Sequence, residues 1–158
     1  MSRLLIFGYG NPSRGDDALG PLLLEQLQAE GFQGVECLTD FQLQVEHALD
    51  LQGRDLALFI DAHLNCPPPF TFTRLHPAAD RSYTTHAMSP SAVLQVFSEI
   101  HHHAPPPAFL LSIRGERFEL GEGLSDAAAA HLQAAAAFAL RLCERPECVE
   151  WMGFVAAD

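Results

Sequence analysis

The sequence is poor in basic residues: 9 Lys and Arg stand against 20 Asp and Glu, for a formal net charge of -11. That balance speaks against a nucleic-acid partner, which needs a basic footprint on the protein. It suits cations or a basic peptide, and it also serves solubility. No apolar run approaches the ~20 residues of a membrane span, and the run in MSRLLIFGYG is too short for a signal peptide. A soluble, cytoplasmic protein with no membrane contact is expected. The cysteines, Cys37, Cys66, Cys143 and Cys148, form no C-x-x-C pair and lack the spacing of a zinc site, so reduced thiols are expected. H-E-x-x-H and G-x-S-x-G are absent, which removes the common zinc-protease helix and the serine-hydrolase elbow. No G-K-[ST] follows the first glycine loop, so there is no P-loop.

The 158 residues are 48% apolar, enough for one domain with a real core. Apolar runs at 3–7 (RLLIF), 56–60 (LALFI) and 109–113 (FLLSI) read as buried strands; 35–39 (VECLT) and 71–75 (TFTRL) complete a set of five. Leu19, Leu22, Leu23 and Leu27 recur at helical spacing up to a stop at Gly31. Ser89-Pro90 and Ser125 read as starts of two further helices, the second rich in alanine. A short helix is expected over 41–51, and 117–120 could add an edge strand. The alternation predicts a single α/β domain over 1–145, with a twisted, mainly parallel sheet of about five strands between helices. The tail 146–158, with Trp151 and Phe154, has no readable place.

In an order 2-1-3, the loop after strand one and the end of strand three share a crevice, where such sheets keep their sites. At those places stand GYGNPSRGDDALG (8–20) and Asp61. A dinucleotide fingerprint would need glycine at 13, where Ser13 stands, and Asp16 and Asp17 would repel a pyrophosphate. A nucleotide-binding module is therefore the weakest alternative. Asp17, Asp61 and His86, in the loop before the third helix, are two carboxylates and an imidazole, which suit a borderline divalent ion such as zinc, nickel or manganese and leave positions open. Each also has an ordinary reading: acids cap helices and turns, and histidines are common in loops. Cys66, shortly after strand three, is a rival nucleophile with no identifiable base. His63 could rim the site. His47 and His131 read as structural, His101-His102-His103 as a solvated helix end, and the alanine run 127–137 as helix propensity.

The segment Gly8-Tyr-Gly10-Asn11-Pro-Ser-Arg-Gly-Asp16-Asp17-Ala-Leu-Gly20 resembles the opening motif of the [NiFe]-hydrogenase maturation endopeptidases. Phe-Ile-Asp61-Ala resembles their second motif, and Thr-Thr-His86-Ala-Met-Ser their third. Residues 111–125 resemble the stretch before their last helix, most closely in relatives serving soluble NAD-coupled hydrogenases. The similarity spans about 3 to 142. It implies an α/β fold and an endopeptidase that clips the C-terminal extension from a hydrogenase large-subunit precursor once nickel is inserted. It implies metal ligands at Asp17, Asp61 and His86, with nickel of the substrate as the working metal and zinc, cadmium or manganese as substitutes in isolation. Gly8, Gly10, Asn11 and Gly20 would shape the loop. The catalytic set would be Asp17 and Asp61, with Asp16 a candidate base for water. The family often has glutamate where Asp17 stands, and a polar or acidic residue where Ala87 stands. A non-catalytic metal chaperone or scaffold with the same ligands is the alternative.

Overall fold

The computed structural model describes residues 3–80 and 88–156. Five strands form one sheet: β1 (Leu4–Tyr9), β2 (Val35–Asp40), β3 (Leu56–His63), β4 (Phe70–Leu75) and β5 (Ala108–Arg114). Their order is β2-β1-β3-β5-β4, all parallel except β4, which runs antiparallel to β5 at the edge. The helices are α1 (Leu19–Glu30), α2 (His47–Asp50), α3 (Pro90–His101), α4 (Asp126–Glu144) and α5 (Cys148–Met152).

The period of two along a strand divides the core between two faces. Leu4, Ile6, Leu58, Ile60, Leu111 and Ile113 face α1, α4 and α5. Leu5, Phe7, Ala57 and Phe59 join Leu43, Ala48, Val93, Leu94 and Phe97 on the other side. Both faces are covered, which is why these strands are continuous apolar runs in the sequence. Capping follows the expectations: Ser89 Oγ accepts from the Ala92 amide and Ser125 Oγ from the Ala128 amide, each at 3.1 Å. Gly31 closes α1 in the left-handed region, with φ 67.

Three expectations change. The stretch 41–51 is helical only at His47–Asp50. The His47 ring takes the Gln44 amide onto Nδ1 at 2.8 Å, and the Met88 amide donates to the Leu43 carbonyl, so the segment before α2 is held as turns. Residues 117–120 form no strand, because the amide and carbonyl of Arg117 are bonded to Asp16 instead of to a sheet. β3 runs two residues beyond Asp61, pairing Ala62 with Ile113 and His63 with Arg114.

The unplaced tail packs on the α1/α4 side of the sheet. Trp151 is fully buried, set edge-on to Phe72 and Phe109. Its indole N–H donates to the Leu142 carbonyl at 3.0 Å. No helix among the described residues is long and apolar enough to cross a membrane.

Candidate metal-binding and catalytic site

The site forms at the carboxyl ends of β1 and β3. Gly8 and Gly20 let α1 lie directly on the strands. A Cβ on Gly20 would fall 2.6 Å from the Tyr9 carbonyl oxygen and 2.8 Å from that of Ile60, and one on Gly8 would fall 2.6 Å from the Gly20 oxygen. Gly10 has φ +145, and a Cβ there would meet the Asp17 carbonyl oxygen at 2.1 Å. The chain can thus turn back and bring Asp17 against the strand it has just left.

A 3-10 turn, Gly15–Ala18, carries both acids into α1. Asp17 accepts the Asn11 backbone amide on Oδ2 at 2.7 Å. The other loop amides are also occupied. Those of Gly10, Arg14, Gly15, Asp16 and Asp17 donate to backbone carbonyls, and that of Ser13 to Asn11 Oδ1. Pro12 has none to offer. A phosphate cradle needs amides aimed at its ligand, and these are spent inside the protein, so the nucleotide reading loses its physical basis.

Asp16 and Asp17 take different posts. Asp16 is completely buried. Its Oδ2 accepts from the Glu116 amide at 2.7 Å, the Arg117 amide at 3.0 Å and the Ser125 hydroxyl at 2.7 Å; Oδ1 accepts from the Ser125 amide at 2.8 Å. Burial works to raise its pKa, but these donors outweigh it and hold the carboxyl below its ordinary value. A carboxylate so bound is a poor base, so the expectation that Asp16 activates water is corrected to a clamp. It ties the acidic loop to residues 115–125, and the Gly121 amide adds a bond to the Ser13 carbonyl at 2.7 Å.

Asp17 and Asp61 line one cavity of about 270 Å³ together with Tyr9, Gly10, Phe41, Gln42, Leu43, Ala62 and Met88. Asp17, Phe41 and Gln42 also line an open cavity of about 570 Å³ that reaches Arg14 and Phe118. Asp61 sits on the α2/α3 side of β3. The β1–β3 register pairs Phe7 with Phe59, and two residues further on Tyr9 stands beside Asp61. The Tyr9 hydroxyl donates to Asp61 Oδ2 at 3.1 Å. Asp61 Oδ1 is buried and has no hydrogen-bond partner among the described residues. Burial pushes the Asp61 carboxyl up to about 6; the Tyr9 and Ser112 hydroxyls and His63 ease it down, while the Asp17 charge adds to the rise. Burial, with the Asp61 charge behind it, also raises the Tyr9 hydroxyl well above its ordinary value, so it remains a donor.

An unpaired, buried carboxylate oxygen costs stability unless a ligand or proton satisfies it. Two carboxylates around one small cavity, one with an orphan oxygen, fit a divalent cation of the kind that takes oxygen and imidazole ligands. His86 lies outside the described residues, and no group of three metal-ligating side chains occurs among those described.

The other candidates are structural. Cys66 is buried, its Sγ 3.6 Å from the Ser112 carbonyl, and burial, then the Asp61 charge, raises its thiol pKa. It is not an activated nucleophile. His63 is exposed, and its Nδ1 accepts the Asn65 amide at 3.1 Å. His47 is buried with Nε2 3.4 Å from Asp40. His131 Nδ1 lies 2.9 Å from the Arg114 carbonyl. His101 lies tilted against Phe97 and His103 meets it edge-on. Tyr9 is the site residue the sequence reading missed. Its signal was a hydroxyl on the same strand face as Phe7, one step beyond the core.

No protein-family model matches the chain, and no curated protein sequence matches it. Solved structures do. The fold is similar to that of the hydrogenase maturating endopeptidase HybD from E. coli, at 24% identity and TM-score 0.69 over 90% of this chain and 93% of that one. It is similar to the [NiFe] hydrogenase maturation protease HycI from Thermococcus kodakarensis, at 22% identity and TM-score 0.67 over 91% and 94%. A third, the hydrogenase 2 maturation peptidase from Thaumarchaeota archaeon, aligns at 21% identity and TM-score 0.63 over 88% and 96%.

Proposed function

We propose that this chain is an endopeptidase that removes the C-terminal extension of a [NiFe]-hydrogenase large-subunit precursor after nickel insertion. The nickel is then part of the substrate, and Asp17, Asp61 and His86 are the groups that grip it. The observation that carries this reading is the pair Asp17 and Asp61 on one cavity, with Asp61 Oδ1 buried and unpaired. The fold shared with maturation proteases supports it.

Gripping the metal would fix the scissile bond beside the carboxylates and turn an encounter into an oriented, intramolecular attack. The ion supplies a positive charge near the carbonyl. Water adds to the carbonyl carbon and gives a proton to a carboxylate. The carbon–nitrogen bond then breaks as that proton passes to the leaving amine. With Asp16 engaged on both oxygens, Asp17 and Asp61 are the acceptors left. Zinc, cadmium or manganese would bind the same groups in the isolated protein, and the reaction belongs in the cytoplasm, where the precursor matures.

The test is to incubate the protein with nickel-loaded and nickel-free precursor and weigh the products. Loss of a C-terminal peptide from the loaded form alone is expected. No mass change in either form, with the cognate precursor, would replace the enzyme by a metal-binding scaffold.

A further inference from the structure

At the Tyr9–Asp61 contact a hydrogen bond, a strand register and an orphan atom coincide. We propose that Tyr9 is a positioning residue that makes Asp61 a one-oxygen ligand: its hydroxyl holds Oδ2, so that Oδ1 alone is offered to a divalent cation. The inference rests on the metal-gripping reading above.

The β1–β3 register fixes where the ring stands. On the face that Phe7 shares with Phe59, stacked at 5.2 Å, Tyr9 is the next residue toward the cavity, and its ring packs against the edge of that core. Packing at this position asks only for a ring, which phenylalanine would provide. What tyrosine adds is the hydroxyl, and it donates to one carboxylate oxygen of Asp61 at 3.1 Å. The two oxygens of Asp61 are thereby made unlike: Oδ2 takes the Tyr9 hydroxyl, while Oδ1 is buried and without a hydrogen bond among the described residues, the nearby Ser112 hydroxyl lowering the carboxyl's pKa without closing a bond to Oδ1. Asp17 is divided in the same way, its Oδ2 taken by the Asn11 amide. Both carboxylates reach the cavity with one oxygen already held by the protein. Single-oxygen ligation takes up fewer coordination positions than bidentate ligation, and it leaves room for ligands that a metal brings with it. Partners of this kind commonly set metal affinity by about 10- to 100-fold.

The test uses purified full-length protein and Co²⁺ alone, with visible absorption reading both affinity and geometry. The Tyr9→Phe variant is expected to fold, to bind Co²⁺ about 10- to 100-fold more weakly, and to show a changed d–d spectrum as Asp61 becomes free to ligate through both oxygens. Wild-type affinity with an unchanged spectrum would overturn the proposal while leaving the endopeptidase reading intact, since wild-type processing of precursor is measured separately. If Tyr9→Phe does not fold, infrared difference spectra of wild type with and without metal decide, with the Asp61 bands identified by comparison with Asp61→Asn. Carboxylate splitting of the one-oxygen type supports the proposal, and the two-oxygen type refutes it. A wild-type protein that takes up no Co²⁺ overturns the ligand reading of Asp17 and Asp61, and this proposal with it.

Discussion

Asp61 should weaken the fold it belongs to, and the size of that effect follows from its surroundings. Its carboxyl is pushed from an ordinary value of 3.8 up to about 6, first by burial and then by the charge of Asp17. At about 1.4 kcal/mol per tenfold change in proton affinity, the ionised form costs the metal-free native state about 3 kcal/mol. The sign follows from proton counting. Between the unfolded and folded pKa values the native state binds more protons, so stability falls as pH rises from about 4 to about 6 and stays lower above it. Asp61→Asn removes this cost while nearly keeping the shape. For a chain of this length the gain corresponds to a rise of about 6 to 12 °C in Tm at pH 7. Thermal melts of both proteins in chelator from pH 3.5 to 8 check it. The difference in Tm should be near zero at the acid end, open through pH 4 to 6, and then hold. A difference independent of pH, or an Asp61→Asn protein less stable than wild type at pH 7, would refute the reasoning. The same variant should lose precursor processing, because an amide is a poor ligand and no base.

Asp16→Asn replaces an acceptor of four hydrogen bonds with a group that must turn an NH₂ toward donors; a loss of about 2 to 4 kcal/mol is expected by denaturant unfolding. Because folding holds the Asp16 pKa below its ordinary value, its contribution is present above the unfolded pKa and fades as pH falls through the acid range; the gap between wild type and Asp16→Asn should close there. Trp151→Ala opens the core beside Phe72 and Phe109 and should cost about 3 to 5 kcal/mol, read as a fall in Tm. Cys66→Ser should keep full processing, and the Cys66 thiol should react slowly with alkylating reagents at neutral pH, because it is buried and held protonated.

Much of the site could be read in the sequence because the sheet obeys a general rule. Strands one, three and five carry strongly apolar runs, and the order 2-1-3 brings Asp17 and Asp61 to one crevice. Helix ends at Ser89, Ser125 and Gly31 were legible because capping is local chemistry. What was illegible depends on distant partners. Nothing near Asp16 tells it apart from Asp17; the difference is made by Ser125 and Arg117, about a hundred residues away. The extension of β3 through Ala62 and His63 depends on pairing with β5, not on hydrophobicity. The five residues of α5 are too few for a periodic pattern, and their position is set by the burial of Trp151. Tyr9 was hidden inside a glycine motif whose neighbours drew attention to the turn.

The Asp16 clamp also has a consequence for the order in which the protein is made. A ribosome releases the acidic loop early, but the groups that hold it, Glu116, Arg117 and Ser125, leave the exit tunnel a hundred residues later. Until then β1 and α1 can assemble while Asp16 has no donors and the turn that presents Asp17 has no anchor. A nascent chain therefore carries Asp17 before the clamp that holds its turn has formed. The clamp itself forms late in synthesis, when the segment before α4 meets the loop.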